Sequence, residues 1–252
     1  MKPFEFLEPK NLEEACSLLS QHSEDAKILA GGQSLRPIMR QGFLAPKYLI
    51  NIKGLSELEY IKEDTNGLKI GALTTESAIE SSPVIREKFP LLVEMEGFLG
   101  APQIRNWGTI GGSLAFSDPA GDPAVALIAL DATVKAVSTR GEREIPVEEF
   151  ETGYLESALE PDEILTEITL PYLPPNSGGT FTEEVARAGD LGIAIVATVV
   201  TLNGGKAVKA ARIVLGAQSV SPFRAKEAEK AATGKKAGDN LGDVAEATAK
   251  EA

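Results

Sequence analysis

The sequence contains almost none of the residues on which metal centres and many acid–base sites depend. Its 252 residues include one cysteine, Cys16, and one histidine, His22. A disulfide within the chain, a cysteine zinc site and a Cys-ligated iron–sulfur cluster are therefore excluded. Cys16 falls on the apolar face of a predicted helix, so we expect it to be a small buried side chain. His22 falls at the end of that helix, where a contact with the helix dipole is the simple interpretation.

Long apolar runs and an excess of positive charge are also missing. No uninterrupted apolar run approaches the roughly 18 residues of a membrane-spanning helix, and the N-terminus does not resemble a signal peptide. We therefore expect a cytoplasmic protein. Asp and Glu number 37 against 25 Lys and Arg, which gives a net charge of −12. This excess of negative charge disfavours binding to nucleic acids and to anionic membranes, because both require clustered cations.

Apolar periodicity and turn residues predict short alternating helices and strands in the first part of the chain. Asn11 is suited to cap a helix, and buried strands are expected at 27–30 and 48–52. This small α/β unit ends near Gly54.

A second unit begins with a strand at 68–72. A helical stretch starts at Thr74 or Thr75 and is interrupted by Pro83 and Pro90. The further elements expected in this unit are a Gly-rich segment at 97–121, a helix from Asp122 to Leu130 with Asp122 as its cap and Pro123 in its first turn, and strands at 133–138 and 164–170.

The best linker candidate is the segment 171–179, which holds three Pro and two Gly. Beyond it, the β-rich runs 193–202 and 207–215 are joined by Asn203-Gly204-Gly205-Lys206, a pattern that favours a hairpin. A helical tail follows from Arg224. The sequence stops while it still has a helical pattern, so we expect it to be an incomplete version of a longer protein.

The segments best suited to bind a ligand are two Gly-Gly turns, Ala30-Gly31-Gly32-Gln33-Ser34-Leu35 and Thr109-Ile110-Gly111-Gly112-Ser113. Paired glycines permit positive φ and close approach of the backbone, so that successive N–H groups can converge on an anion such as a pyrophosphate. Taken alone, each is more simply interpreted as a tight turn between a strand and a helix. Neither a G-x-G-x-x-G nor a P-loop pattern is present.

The surroundings of the second turn make it more specific. The run Gln103-Ile104-Arg105-Asn106-Trp107-Gly108-Thr109-Ile110-Gly111-Gly112-Ser113 continues into Ser117-Asp118-Pro119-Ala120-Gly121-Asp122-Pro123, with the Ala-Gly-Gly-Gln-Ser turn upstream. Together these segments resemble the FAD-binding subunit of the molybdenum hydroxylases, the relatives of xanthine dehydrogenase and aerobic carbon monoxide dehydrogenase. The resemblance extends over essentially the whole chain.

The resemblance implies an α+β fold. Its PCMH-type FAD-binding module has two α/β subdomains, here expected at 1–54 and 55–173, and a C-terminal antiparallel-sheet-and-helix domain follows at 178–252. It further implies FAD whose pyrophosphate is held through backbone N–H groups of both turns. Because His22 is badly placed to be a covalent flavin anchor, we expect the FAD to be bound non-covalently. The cofactor-binding residues carried over are Leu29, Ala30, Gly31, Gly32, Gln33, Ser34, Leu35, Thr109, Ile110, Gly111, Gly112, Ser113, Asp122 and Leu165, the last with its backbone near the flavin ring.

The resemblance also implies partners. Such subunits pair with a small subunit carrying two [2Fe–2S] clusters and a large subunit carrying molybdopterin, in a heterotrimer or its dimer. Electrons from the clusters pass through FAD to NAD, a quinone or oxygen. We expect no catalytic residue or metal ligand in this chain, because a flavin needs positioning and electrostatics from its protein.

Two positions depart from the family pattern. Members often have Lys where this chain has Glu183, near the flavin, so either the flavin is tuned differently or another cation such as Arg187 substitutes. Phe116 stands where a His is common. Arg105 is expected to anchor its loop through carbonyl groups, and Trp107 to be a surface aromatic residue.

Two alternatives stay open at this point. One is a free-standing FAD-dependent oxidoreductase of the same fold, although no segment resembling an extra substrate domain is visible. The other is a non-catalytic, truncated module that has lost FAD. Release of flavin on denaturation distinguishes the non-catalytic module from both FAD-binding possibilities. Co-purification with two partners distinguishes a subunit of a molybdenum hydroxylase complex from a free-standing oxidoreductase.

Overall fold

The computed structural model describes residues 2–187, 189–236 and 239–252. It contains a parallel sheet near the N-terminus and two larger antiparallel sheets, with most of the helices between the latter two. This mixture of helices and strands, with an antiparallel sheet at the C-terminal end, confirms the predicted α+β class.

The first unit is a parallel sheet with strand order β1-β3-β2. Parallel neighbours require crossover connections, which the two helices of this unit provide. Asn11 caps the first helix through its side chain, as predicted, and accepts a hydrogen bond from the Glu14 N–H at 2.9 Å. The elements are β1 (Glu5–Leu7), α1 (Leu12–His22), β2 (Ala26–Leu29), α2 (Leu35–Gln41) and β3 (Tyr48–Asn51).

The central sheet is antiparallel, with strand order β4-β5-β10-β6-β7. Its strands are β4 (Ile61–Asp64), β5 (Gly67–Gly71), β6 (Thr133–Ser138), β7 (Gly141–Pro146) and β10 (Ile164–Pro171), and β8 (Glu151–Gly153) and β9 (Glu156–Ser157) form a separate small hairpin. Strands β4 and β7, whose exposed positions give them weak apolar patterns, were not predicted from the sequence.

All α-helices of the second unit lie in the segment between β5 and β6. They are α3 (Glu76–Ser81), α4 (Pro83–Lys88), α5 (Pro90–Glu96), α6 (Pro102–Arg105), α7 (Ile110–Phe116) and α8 (Asp122–Ala129). Pro83 and Pro90 interrupt the helical stretch as predicted, and each occupies the first turn of the next helix, where a missing N–H costs little. The second Gly-Gly turn forms the start of α7. This helix was not predicted, because the segment is rich in glycine.

The C-terminal sheet is antiparallel, with strand order β11-β12-β13-β14, and the predicted hairpin joins β12 to β13. Its elements are β11 (Ser177–Val185), β12 (Gly192–Leu202), β13 (Val208–Gly216), β14 (Phe223–Arg224), α9 (Lys226–Ala232) and α10 (Gly242–Glu251). The predicted linker 171–179 is too long, because Pro171 ends β10 and β11 already begins at Ser177. The unit boundaries at 54, 173 and 178 stay a proposal.

The main core lies between the central and C-terminal sheets, around α8. All eight residues of α8 are buried, and its neighbours include Leu92 on α5, Phe181 on β11 and Ile195 on β12. A second core cluster contains the buried residues of α1 together with Ile164 of β10. This cluster packs the first unit against the central sheet. Across the described residues, no helix is long and apolar enough to cross a membrane.

Close packing of α7 against the end of β5 gives a testable prediction. A Cβ added at Gly111 would lie 2.5 Å from the Ala72 Cβ and 2.7 Å from the Ala72 oxygen. Although alanine normally stabilises a helix relative to glycine, we expect Gly111→Ala to lower the free energy of unfolding by about 1–3 kcal/mol. Urea denaturation of the purified protein measures this change. Gly204→Ala, whose Cβ would meet nothing within 4 Å, is the control, and a stabilised Gly111→Ala variant would contradict the packing described.

Candidate functional site

A cleft of about 1070 Å³ runs between the first unit and the central sheet. The parts of the protein that line it include both Gly-Gly turns, the β8–β9 hairpin and the beginning of β10. Of the predicted site residues, those that line the cleft are Ala30, Gly31, Gly32, Gln33, Ser34, Leu35, Thr109, Gly111, Gly112, Ser113 and Leu165. Leu29, Ile110 and Asp122 are not part of its lining.

The first turn leads from β2 into α2, and its backbone conformation depends on glycine. Gly32 has φ +71°, a value that L side chains rarely adopt. Ser34 occupies the N-cap position of α2, and its side chain makes no capping hydrogen bond. The side-chain amide of Gln33 donates to the Gly31 carbonyl at 3.2 Å, which holds the turn from within.

Backbone N–H groups of the first turn are free to bind a ligand. Within the described parts of the chain, the N–H groups of residues 31–35 donate to no protein acceptor. All five residues are partly exposed and line the cleft. Such a series of adjacent, unused N–H groups forms a concave site for an anion.

The second turn differs, because its N–H groups are already used within the protein. Ile110 and Gly111 donate to the carbonyl groups of Thr74 and Ala72 at 3.1 and 3.0 Å. The Gly112 N–H donates to the Thr109 side-chain oxygen at 3.2 Å. The N–H groups of the first turn are therefore unused within the protein, whereas Ile110, Gly111 and Gly112 of the second already donate to protein acceptors. That both turns hold a pyrophosphate through backbone N–H groups stays a prediction.

Contact between the backbones of the two turns brings them to one site. A Cβ at Gly31 would overlap the Trp107 carbonyl oxygen, and it would lie 2.9 Å from the Gly108 Cα. A Cβ at Gly112 would lie 3.6 Å from the Ala30 Cβ. Gly31 is therefore required for the first unit to approach the loop before α7, in addition to any role toward a ligand.

Asp122 is the first residue of α8, whereas the sequence predicted it as the N-cap. Gly121 is the N-cap, so Asp122 and Pro123 form the first turn, and the prediction of Asp122 as the cap is wrong by one residue. The carboxyl group is buried, and its Oδ1 atom has no hydrogen-bond partner among the described residues. Burial, together with the nearby carboxylates of Glu183, Glu76 and Asp118, raises the pKa of Asp122 to about 7.

Glu183 lies on β11 and adds to this acidic environment. Its carboxylate lies next to Gly192, where an added Cβ would be 2.7 Å from Oε1, and burial raises the pKa of Glu183. Because Glu183 also raises the pKa of Asp122, the two carboxyl groups are close enough to repel each other. Arg187 is exposed in the loop after β11.

Other expectations about single residues are confirmed. Arg105 donates to the carbonyl groups of Leu99 and Gly100 at 3.1 and 2.8 Å, and so anchors its loop. Trp107 is exposed, with the Lys53 ammonium group 3.3 Å from its ring centroid. Cys16 is buried. His22 ends α1, and its ring stacks on Tyr48 with 3.9 Å between centroids.

Two features of the site were missed by the sequence analysis. Phe43 and Tyr154 line the cleft with 81% and 70% of their surfaces exposed, and only their aromatic character in predicted loops could have suggested them. Glu76 and Glu96 are completely buried, and the Ser113 hydroxyl group donates to Glu76 at 2.8 Å. In the sequence, Glu76 is indistinguishable from an ordinary acidic residue in the first turn of a helix.

Comparisons with known proteins agree with this architecture. Residues 2–173 match the family described as "FAD binding domain in molybdopterin dehydrogenase", and residues 180–252 match the "CO dehydrogenase flavoprotein C-terminal domain". The 6-hydroxypseudooxynicotine dehydrogenase complex subunit alpha of Paenarthrobacter nicotinovorans is 40% identical over 232 residues, which cover 91% of this chain and 78% of that protein. The carbon monoxide dehydrogenase medium chain of Hydrogenophaga pseudoflava is 37% identical over 84% of this chain and 74% of its own length.

Solved structures show the same fold. A carbon monoxide dehydrogenase from Hydrogenophaga pseudoflava, which lacks the Mo-pyranopterin moiety of its molybdenum cofactor, matches with a TM-score of 0.93 and 36% identity. The match covers 99% of this chain and 86% of that chain. Quinoline 2-oxidoreductase from Pseudomonas putida 86 matches with a TM-score of 0.91 and 29% identity over 98% of this chain and 87% of that chain. The chain therefore belongs to the FAD-binding medium subunits of the molybdenum hydroxylases, a family of oxidoreductases.

Proposed function

We propose that this chain holds FAD non-covalently in the cleft between its two Gly-Gly turns. We further propose that it passes electrons from [2Fe–2S] clusters of a partner subunit through FAD to NAD, a quinone or oxygen. The observation that carries the proposal is the row of five unused N–H groups at residues 31–35, all of which line a cleft of about 1070 Å³. A cofactor with a central diphosphate and two large ring systems fits a long cleft with one anion-binding wall.

The first turn is the proposed diphosphate site. Its N–H groups neutralise an anion without a cation, and Gly32 allows the backbone to curve around it. Opposite, the absence of a side chain at Gly112 leaves room for the ligand next to Ala30, and Ser113 adds a hydroxyl group. Leu29 and Ile110 support these turns from outside the lining of the cleft.

The remaining site residues are proposed to set the surroundings of the flavin. Leu165, at the start of β10, lines the cleft and supplies an apolar wall. Glu183 on β11 supplies a carboxylate at a position where family members often have Lys, and the buried Asp122 at the start of α8 adds a second carboxyl group. FAD, when bound, supplies the one- and two-electron redox chemistry, and the protein contributes orientation, exclusion of water and electrostatics.

Names of the relatives support the proposed partners. The matched proteins are called a medium chain and a subunit of a dehydrogenase complex. We propose a small [2Fe–2S] subunit and a large molybdopterin subunit as partners, in a heterotrimer or its dimer located in the cytoplasm. The substrate of the complex is determined in the large subunit.

An absorption spectrum of the purified chain, taken before and after heat denaturation, tests the cofactor. We expect the bands of oxidised flavin, with FAD recovered in the supernatant because no covalent bond holds it. A colourless protein that also fails to take up added FAD would contradict the proposal and favour a module that has lost its cofactor.

Affinity purification of the chain from cells that express the whole operon or complex tests the partners. We expect two further subunits, one with iron–sulfur clusters and one with molybdenum, detected by mass spectrometry and metal analysis. Purification of the chain alone, with full oxidoreductase activity, would instead support a free-standing flavoenzyme.

Substitution of Ser34 separates ligand binding from folding. Ser34→Asp places a negative charge in the first turn at the N-cap of α2, where Asp is a favourable residue. We expect the apo protein to keep its stability and the affinity for FAD to fall by about tenfold or more, because like charges about 4 Å apart near a protein surface repel by a few kcal/mol. The neutral Ser34→Asn variant is the control. Equal FAD affinities of the two variants in a fluorescence titration would place the diphosphate elsewhere.

The raised pKa of Asp122 predicts that the free energy of unfolding of the apo protein depends on pH. The pKa of this buried carboxyl group is raised from 3.8 to about 7, so its contribution to stability is complete below the unfolded value and is lost as the pH rises through the folded one. We expect wild type to lose about 2–3 kcal/mol more unfolding free energy than Asp122→Asn between about pH 5 and pH 8. Parallel pH profiles of the two proteins in denaturant unfolding would contradict the burial of an ionisable Asp122.

A further inference from the structure

The β8–β9 hairpin places two large side chains at the cofactor cleft. Its strands pair Gly153 with Glu156, so Tyr154 and Leu155 are the two central residues of the hairpin turn. Both residues line the cleft, and 70% of Tyr154 and 40% of Leu155 is exposed. Ligand sites are concave and lined largely by apolar and aromatic side chains, so these two residues are available to cover part of a ligand.

The backbone of this turn is unfavourable for the residue that it contains. Leu155 has φ +57°, whereas glycine or asparagine is usual at the second central residue when φ is positive there. The strain does not serve the core, because neither Tyr154 nor Leu155 belongs to any of the hydrophobic core clusters formed by the described residues. Residues held in such conformations concentrate at ligand-binding sites, where the surrounding structure fixes them.

A hydrogen bond holds the tip of the hairpin against the end of α7. The Leu155 N–H donates to the Ser117 carbonyl at 3.2 Å. Ser117 is the C-cap of α7, is completely buried and has φ +52° itself. Movement of the tip away from α7 would break this bond, so the turn is fixed at the wall of the cleft.

Two helices connect the proposed diphosphate site with exposed apolar side chains. Helix α2 begins in the first turn, and Phe43, which is 81% exposed, follows its C-cap Gly42. Helix α7 begins in the second turn and ends at Ser117, next to the hairpin tip. Each helix has seven residues, so at 1.5 Å per residue each is about 10 Å long. Phe43 and the hairpin tip therefore both line the cleft at about one helix length from the diphosphate site.

We propose that Tyr154 and Leu155 are cofactor-contact residues that pack against a planar ring system of FAD in the cleft. The two ring systems of FAD, adenine and isoalloxazine, are each joined to the diphosphate through a sugar or sugar alcohol, which accounts for a distance of this order. The Tyr154 ring supplies an aromatic face and Leu155 an apolar contact, and the fixed turn holds both in position before the ligand binds. The inference rests on the proposed FAD site and specifies how one of its rings is held.

Removal of the aromatic ring gives the first test. Tyr154→Ala is expected to lower FAD affinity by about tenfold, which is within the range measured for the loss of an aromatic side chain that stacks on a base. Tyr154→Phe keeps the ring and is expected to stay within about twofold of wild type. Serial dilution of the purified chain with its bound FAD, followed by ultrafiltration to quantify free FAD, measures the affinity.

Phe6→Ala is the matched control for loss of an exposed aromatic side chain. Phe6 lies on β1, is 47% exposed and is not part of the cleft lining. This variant is expected to leave FAD affinity unchanged.

Substitution of Leu155 separates ligand contact from folding. Asparagine tolerates the left-handed conformation better than leucine does, so Leu155→Asn is expected to unfold at the same or a higher urea concentration when no FAD is added. Its affinity for FAD is nevertheless expected to fall by about threefold to tenfold, because an apolar contact with the ring is lost. Urea denaturation at a series of FAD concentrations yields both quantities, since bound FAD raises the apparent stability according to its dissociation constant. A turn with only a structural role would lose affinity only together with stability.

Lys206→Asn is the control for relief of backbone strain. Lys206 has φ +61° in the hairpin between β12 and β13, outside the lining of the cleft. The same substitution there is expected to preserve stability and to leave FAD affinity unchanged.

Fragments of the cofactor identify which ring is held. ADP contains the adenine ring and the diphosphate, and FMN contains the isoalloxazine ring without either. If Tyr154 packs on adenine, Tyr154→Ala weakens ADP binding about as much as FAD binding and leaves FMN binding unchanged, whereas a contact with isoalloxazine gives the reverse. Displacement of bound FAD by each fragment measures these affinities. Unchanged affinities of Tyr154→Ala for both fragments would contradict a contact with either ring.

The outcomes separate this inference from the function on which it rests. If Tyr154→Ala and Leu155→Asn bind FAD as tightly as wild type does, the inference is wrong and the proposed FAD site stands. Loss of co-purifying subunits from these two variants, with unchanged FAD affinity, would instead place the hairpin tip at a subunit interface. If wild type fails to bind FAD, the proposed site itself is overturned, and the inference with it.

Discussion

The structure depends on direct contact between backbones at the two Gly-Gly turns. Gly31 lies against the Trp107 carbonyl group, and Gly111 lies against Ala72 at the end of β5. Any side chain at either position would separate elements that now touch, because the neighbouring atoms belong to backbone or to a short alanine side chain. These contacts set the distance between the first unit and the central sheet, and with it the width of the cleft. The glycines therefore act first on the shape of the protein, and the binding surface follows from that shape.

The two turns, although similar in sequence, contribute different chemistry. In the first, the chain leaves β2 and enters α2 without using five successive N–H groups, which are then available to an anion. In the second, the equivalent donors complete the end of β5 and the cap of α7, so the turn presents a small surface and a hydroxyl group. Helix α7 also lies over the buried Glu76, to which the Ser113 hydroxyl group donates at 2.8 Å.

Much of this organisation could be predicted from the sequence, for identifiable physical reasons. The Asn11 cap, the hairpin between β12 and β13 and the starts of α4 and α5 at proline are local signals. Helix α7 could not be predicted, because glycines in its first turn oppose helix formation and tertiary packing against Ala72 helps to compensate. The buried pair of Glu76 and Glu96 also could not be predicted, since its partners come together only when α3, α5 and α7 pack. The position of Asp122 outside the cleft lining has the same origin in tertiary packing.

The most direct test of the account is hydrogen–deuterium exchange of the purified chain with and without saturating FAD, resolved to single amides. The account predicts that the amides of residues 31–35 exchange rapidly in the apo protein and become protected by FAD. The amides of Ile110 and Gly111, already bonded to Thr74 and Ala72, should be protected in both states. Unchanged exchange at residues 31–35 in the presence of bound FAD would contradict the assignment of the first turn as the anion-binding wall of the cleft.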